Sequence, residues 1–439
     1  MKPKLLFLFP DGWDRIAFAS ALGWCDEFDV VCEGFDLFRF PESANILWFD
    51  ARRFVERLAR KYRHGGIAGV VSTNEQYGAL IAAILARRLG LPGTNPVAIK
   101  RAQHKYYARE AMASAIPDAT PRYVVFPPSI DAAKAAALPY PLFVKPVKAA
   151  YSVLARRVDS LRDLQSHLSF HRWEKHIISR LVKPFNDLTH GRDGFAIDAH
   201  HMIGEEPLEG VQVNVDGFVH DRSAQCLGVV DSVFYPGTTA FQRFEYPSRL
   251  PEAAQRALQH VARQAITAIG FDYGVFNVEL FYRPRDGDIK VIEINPRLAA
   301  QFGDLYQNVD GISPYRILAD LAVGRAPCWV RGKGNYGAAA SFVLREFDGA
   351  MKVLPTRSSI RWLRTRYPDA HLQTFIKRGN SRWREMKWLG SYRYATINLG
   401  GRDREDLFHR YEDIRANVAF DPAARPAVWG NVNALRPGR

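Results

Sequence analysis

The sequence predicts an α/β and α+β protein: a parallel-sheet region at the N-terminus, a mixed middle region rich in antiparallel sheet, and a small C-terminal α+β region. Three observations predict it. Short apolar runs alternate with amphipathic helical stretches up to about residue 95, the pattern of a parallel sheet wrapped by helices. From about residue 200, strand-like runs follow one another directly, which argues for antiparallel pairing. A turn cluster, LPGTNP at 91–96, separates the two patterns. The expected domains are therefore 1–95, 96–325 and 326–439.

The elements read in order. LLFLF at 5–9 is a first buried strand, too short for a signal-peptide core. A helical stretch follows at 13–23, a strand at FDVVC, a helix at 52–63 and a strand at GVVS. Residues 75–89 read as a helix stopped by Gly90, and 96–113 as another. PRYVVF, PLFVKP and SVLARRV are strand-like; helices follow near 160–169 and 172–182. HHMIGEE, VQVNVDGFVH and AQCLGVVDSVF are strands, and 251–269 is a helix. VFNVELFY and IKVIEI are two more strands. After 325, AAASFVLREF and YRYATINL are strands, with a charged helix near 403–415.

Composition excludes several classes. The chain is 47% hydrophobic and 24% charged, which fits neither a disordered nor a fibrous protein. Its net charge of +14 favours anionic partners. No apolar run approaches the ~20 residues that span a bilayer, so no membrane partner is expected. Cys25, Cys32, Cys226 and Cys328 show no CxxC pairing, which excludes a disulfide scaffold or a patterned zinc site and fits a cytoplasmic protein.

The stretch VFNVELFYRPRDGDIKVIEINPR, 275–297, carries the most chemistry. Asp286-Gly287 marks a hairpin turn. If the turn sets Arg283 opposite Ile289, Glu279 faces Glu293 and Asn277 faces Asn295. Facing carboxylates repel unless a cation sits between them. Two carboxylates and an amide suit Mg²⁺, and Arg297 can stabilise charge developing beside it. The plain alternative is a polar hairpin face with a surface Arg–Glu pair.

EINPR, preceded by the acidic strand NVEL, resembles the metal-binding signature of the ATP-grasp superfamily, which includes biotin carboxylase and D-alanine–D-alanine ligase. The resemblance covers about residues 1–325 and implies an ATP-grasp fold in the middle region. It implies Glu279, Glu293 and Asn295 as ligands of Mg²⁺, with Mn²⁺ as the alternative, against the phosphates of ATP, and Arg297 at the reacting group. LPYPLFVKPVK resembles the strand bearing a phosphate-binding lysine, Lys145. Lys105 matches the family's other phosphate lysine or is a solvated helix lysine. GEEPLEGVQVNVDGF resembles the adenine-binding hinge, with Glu205, backbone groups near Glu206 and Leu208, and Gln212 toward the ribose. The phosphate-covering loop, usually glycine-rich, reads VKAAYSVLARR without glycine; Lys148 and Ser152 are its candidates.

The activity implied is ATP-dependent activation of a carboxylate as an acyl phosphate and its joining to an amine. A carboxylase or carbamoyl-phosphate type reaction with bicarbonate is the alternative. Small-molecule acids and amines are the expected partners, and a homodimer is compatible. Arg243, in YPGTTAFQRFEYPS, either binds a substrate oxyanion or pairs with Glu245, and 301–311 is placed to line the pocket. A different class competes: residues 352–393 hold eleven Lys/Arg against Asp369 and Glu385, interleaved with Trp362, Tyr367, Phe375, Trp383, Trp388 and Tyr392. Such a segment either binds nucleic acid or packs its aromatics into a C-terminal core.

Overall fold

Leu5 to Phe9 are almost wholly buried, as a strand covered on both faces requires. A computed structural model describes residues 2–19, 25–37, 39, 41–148, 154–169, 171–191, 193–376 and 380–421. Its strands are β1 (Lys4–Leu8), β2 (Asp29–Glu33), β3 (Gly69–Val71), β4 (Tyr123–Phe126), β5 (Leu142–Pro146), β6 (Arg156–Val158), β7 (Met202–Glu205), β8 (Val211–His220), β9 (Ser223–Phe234), β10 (Phe241–Tyr246), β11 (Gly274–Arg283), β12 (Asp288–Asn295), β13 (Ala338–Glu346), β14 (His371–Thr374) and β15 (Tyr392–Gly401).

Three sheets form. β2-β1-β3 is parallel, and the helix Ala51–Tyr62, capped by Asp50 on the Arg53 amide, packs beside the helix Gly78–Leu89. The latter ends on Gly90 at φ 67, a left-handed position that glycine takes without strain. The antiparallel sheet β4-β7-β5-β6 is small; the large sheet runs β12-β11-β8-β9-β10-β13-β15-β14.

Three expectations change. The helix expected over 96–113 is two, Pro96–Gln103 and Lys105–Ala115, broken at His104, whose extended backbone (φ −108, ψ 100) lets the Lys105 amide donate to Val147 O instead of continuing the helix. YPGTTAFQRFEYPS contains the strand β10, bridging β9 and β13. Through it the large sheet crosses the boundary expected at 325: β13 and β15 extend it instead of starting another.

The C-terminal aromatics divide. Tyr367 and Tyr392 are buried with Leu363, Leu407 and Ile414, and Trp362 packs against that cluster, so these rings are unavailable for base stacking. Trp383 is exposed. No described helix is long and apolar enough to cross a membrane.

Candidate nucleotide and metal site

The β11–β12 hairpin sets the site. Asn277 pairs with Asn295 and Glu279 with Glu293, the register expected from the sequence. A bulge after Glu279 shifts the outer half by one, so Arg283 faces Asp288 rather than Ile289. The bulge leaves Ile292 out of the ladder, and its carbonyl accepts from Arg109 Nη2 (2.6 Å) and Lys145 Nζ (3.4 Å).

Pairing carries the polar face onward. Glu279 lies opposite Asn214, and Asn277 opposite Asp216. Gln212, Asn214 and Asp216 alternate on β8 with apolar residues, so all three share the face of the two glutamates. Gln212 Nε2 donates to Glu279 Oε2 (2.8 Å), and Asn295 Nδ2 to Glu279 Oε1 (3.2 Å) and Asn277 Oδ1 (3.1 Å). Asn277 Nδ2 donates to Asp216 Oδ1 (3.1 Å), whose other oxygen accepts from Tyr306 Oη (2.8 Å). This chain turns the Asn295 amide nitrogen into the protein and leaves its oxygen as the outward acceptor.

Lysines and arginines converge on the pair. Lys105 Nζ lies 2.9 Å from Glu293 Oε2. Burial alone would raise Glu293, but the Lys105 and Lys145 charges win and hold its carboxyl at about 2. Glu279 is pushed up to about 8 by burial first and then by the Glu293 and Glu75 charges. A hard cation between the two would remove that penalty. The group is two carboxylates and an amide; among the described residues no cluster of three or more His, Cys, Asp or Glu is arranged to hold a metal. The donors therefore fit Mg²⁺ sharing its shell with phosphates.

Lys148 is 2% exposed, donates to Glu75 O (3.0 Å) and has no ion-pair partner among the described residues. Burial pushes its ammonium down to about 8. A buried ammonium without a carboxylate is what an anionic ligand would satisfy. Arg297 pairs with Glu75.

Other expected residues fall elsewhere. Glu205 is 2% exposed and its carboxylate is spent on Arg109 Nε (2.7 Å) and Lys145 Nζ (2.8 Å), so it is an ion-pair hub and not free to read a base. Glu206 is tied to Arg122 by side chain (2.9 Å) and amide (3.1 Å). The Leu208 amide has no hydrogen-bond partner among the described residues, which leaves a backbone donor in the link between β7 and β8. Ser152 lies outside the described residues. Arg243 is corrected: it faces Val233 and Phe342, on the side of the sheet opposite Gln212 and Glu279. There it pairs with Glu245 (2.5 Å) and sits over Phe408 (5.1 Å).

Glu75, Arg109, Asn214, Asp216 and Asn277 were not singled out in the sequence. Arg109 lies one helical turn beyond Lys105, and STNEQ follows β3 at its carboxyl end, where α/β sheets bind ligands. Both signals were readable.

His104 is 1% exposed, and burial pushes its imidazole down to about 4 from the ordinary 6.5; Lys105, His201 and Lys148 add to this, opposed by the Asp198 carbonyl. The unfolded chain then takes up the proton first. Stability should fall as pH drops from 6.5 toward 4, by at most about 3 kcal/mol. Denaturant midpoints at pH 7 and pH 4.5 should show a smaller loss for His104→Gln than for the parent chain; equal losses would refute the assignment.

Residues 138–304 match the ATP-grasp domain family. The chain carries an ATP-grasp domain. No curated protein sequence matches the chain. Among solved structures, the L-amino acid ligase from Bacillus licheniformis shares 16% identity over 95% of this chain and 98% of that one, with a TM-score of 0.66. Phosphoribosylglycinamide synthetase from Anaerococcus prevotii shares 17% over 96% and 99%, at 0.63. N5-carboxyaminoimidazole ribonucleotide synthetase from Thermotoga maritima shares 14% over 96% and 99%, at 0.62. At these identities the likeness is one of fold, and it extends beyond the ATP-grasp domain over nearly the whole chain.

Proposed function

We propose that the chain is an ATP-dependent ligase that phosphorylates a carboxylate and joins the acyl phosphate to an amine. The observation that carries this is the meeting on one sheet face of Glu279, Glu293 and Asn295 with Lys105, while Lys148, held on the Glu75 carbonyl, and Arg297, held on the Glu75 carboxylate, lie beside them. Such a set neutralises a triphosphate and holds it against an acceptor oxygen, work done by positioning and electrostatics. The similar folds include proteins named as L-amino acid ligase and phosphoribosylglycinamide synthetase.

Glu279, Glu293 and Asn295 would hold Mg²⁺, which would supply charge neutralisation at the phosphates. Lys105, Lys145 and Lys148 bind the phosphate oxygens, and Arg297 steadies the reacting group. The Leu208 amide offers a donor to the adenine edge. Bicarbonate as the acid is the alternative within the same chemistry. That residues 96–325 supply most of the nucleotide site, on a sheet that runs on through β13 and β15, and that the chain forms a homodimer belong to the same proposal.

The test is release of ADP and phosphate with pools of organic acids and amino acids, with and without RNA. Turnover that needs both an acid and an amine supports the ligase. Turnover with bicarbonate alone favours the alternative, and salt-sensitive RNA binding without turnover overturns both. The hydrogen-bond chain behind Asn295 gives a separate expectation. Asp216→Ala leaves the Asn277 amide with Asn214 Oδ1 (3.1 Å) as its one remaining acceptor among the described residues and should raise the Mg²⁺ concentration for half-maximal nucleotide binding about tenfold, measured by titration without turnover. An unchanged requirement would count against Asn295 as a ligand.

A further inference from the structure

The polar face does not end at the nucleotide site. Gln212 lies opposite Ser232, Ser232 opposite Phe244, Phe244 opposite Ser341, and Ser341 opposite Asn398. Cross-strand partners share a face, so these positions continue the one that carries Glu279. Further along it, Val343 lies opposite Thr396 and Arg345 opposite Arg393; a bulge after Leu344 brings Arg393, instead of Tyr394, to this side.

Two guanidiniums directly across a ladder repel. Neither forms an ion pair among the described residues. Arg345 donates to Ser391 Oγ (2.9 Å), and its Nε is buried without a partner. Arg393 stacks over Phe375 at 4.1 Å. Two carboxylates lie near without an ion pair to either guanidinium among the described residues: Glu385, which accepts the Arg393 amide (3.2 Å) and whose charge favours the Arg345 cation, and Asp11, which accepts the amides of Trp13 and Asp14 at the start of the helix Gly12–Ala19 and feels the Arg393 charge. Thr396, fully buried, has an unpartnered hydroxyl, and opposite it Gln373 has an unpartnered buried Nε2. The turn after Asp11 closes over Gln373, since a Cβ on Gly12 would lie 2.7 Å from Gln373 Oε1.

We propose that Arg345 and Arg393, with Gln373 and Thr396, form an oxyanion subsite that holds a carboxylate or phosphate at the far end of the second substrate. All four groups can donate, and paired guanidiniums suit a two-oxygen acceptor. Four strand spacings, ~19 Å along the sheet, separate Gln212 from Asn398. The anion is thus a handle remote from the reacting carboxylate, and its binding energy serves to orient the substrate. The subsite shares no described contact with Lys105, Lys145, Lys148 or Arg297. Its role as a substrate site rests on the ligase reading; its anion binding does not.

The test uses the full chain with a non-hydrolysable ATP analogue and Mg²⁺ filling the nucleotide end, titrated with inorganic phosphate and, separately, with acetate. One saturable equivalent of at least one anion is expected: phosphate alone identifies a phosphate handle, acetate a carboxylate. Arg345→Gln and Arg393→Gln should each weaken it at least tenfold while nucleotide affinity stays within twofold. In anion-poor buffer both variants should melt no lower than the parent, because one of two repelling charges is gone; a purely structural role predicts the reverse. Absence of saturable anion binding by the parent, unchanged anion affinity in both variants, or a lower melting temperature in both would overturn the proposal. Failure of the nucleotide analogue to bind would instead overturn the ligase reading.

Discussion

Glu293→Gln should lower ATP turnover by about a thousandfold or more while the far-UV circular dichroism of the chain is preserved. The substitution keeps the shape and one acceptor oxygen but removes the charge that faces Glu279 across the hairpin and lies 2.9 Å from Lys105. Removal of a preorganised charge from a closed site costs several kcal/mol of transition-state stabilisation. Stability should respond more weakly. Loss of one partner from a mostly buried ion pair costs about 3–5 kcal/mol, but here the repulsion from Glu279 is relieved in the same step. A net loss of about 1–3 kcal/mol is the expected balance, read from denaturant midpoints. Turnover within tenfold of the parent would remove Glu293 from the metal set and, with it, the reading of the hairpin.

That the sequence disclosed this pair follows from its locality. The Asp286-Gly287 turn and the period-two alternation of NVEL and IEIN set a register within one hairpin, and the bulge after Glu279 leaves the inner pairs where the alternation puts them. Long-range partnerships were not legible in that way. The pairing of Glu205 with Arg109 joins residues far apart in sequence, and the carbonyl of Ile292 enters only because of the bulge. Arg243 shows the converse error. Its chemistry suited an oxyanion, but which face of a strand a residue occupies depends on the existence of the strand, and the run around it, rich in Gly, Thr and Pro, reads as a loop. The helix break at His104 was hidden because neither Gly nor Pro marks it; the Val147 carbonyl that captures the Lys105 amide is brought there by tertiary structure.

Glu205→Leu separates two roles for the acid at the end of β7. If its side chain recognised adenine, the variant would keep its stability and lose nucleotide affinity. The geometry calls for the opposite. Arg109 is wholly buried and Lys145 nearly so, and both close on the Glu205 carboxylate within 2.8 Å. Burial would raise that carboxyl, yet the two charges hold it below the ordinary carboxylate range. Without it, two cations remain in a low-dielectric pocket with one carbonyl, that of Ile292, between them. Removal of one partner from a buried pair costs about 3–5 kcal/mol, and here two cations lose theirs, so the loss should lie at the upper end of that range. Nucleotide should partly rescue the variant, since phosphates can compensate Lys145, with the melting temperature rising more on ATP addition than in the parent. A variant as stable as the parent with weakened nucleotide binding would restore the base-recognition role and remove Glu205 as the hub that holds Lys145 in place.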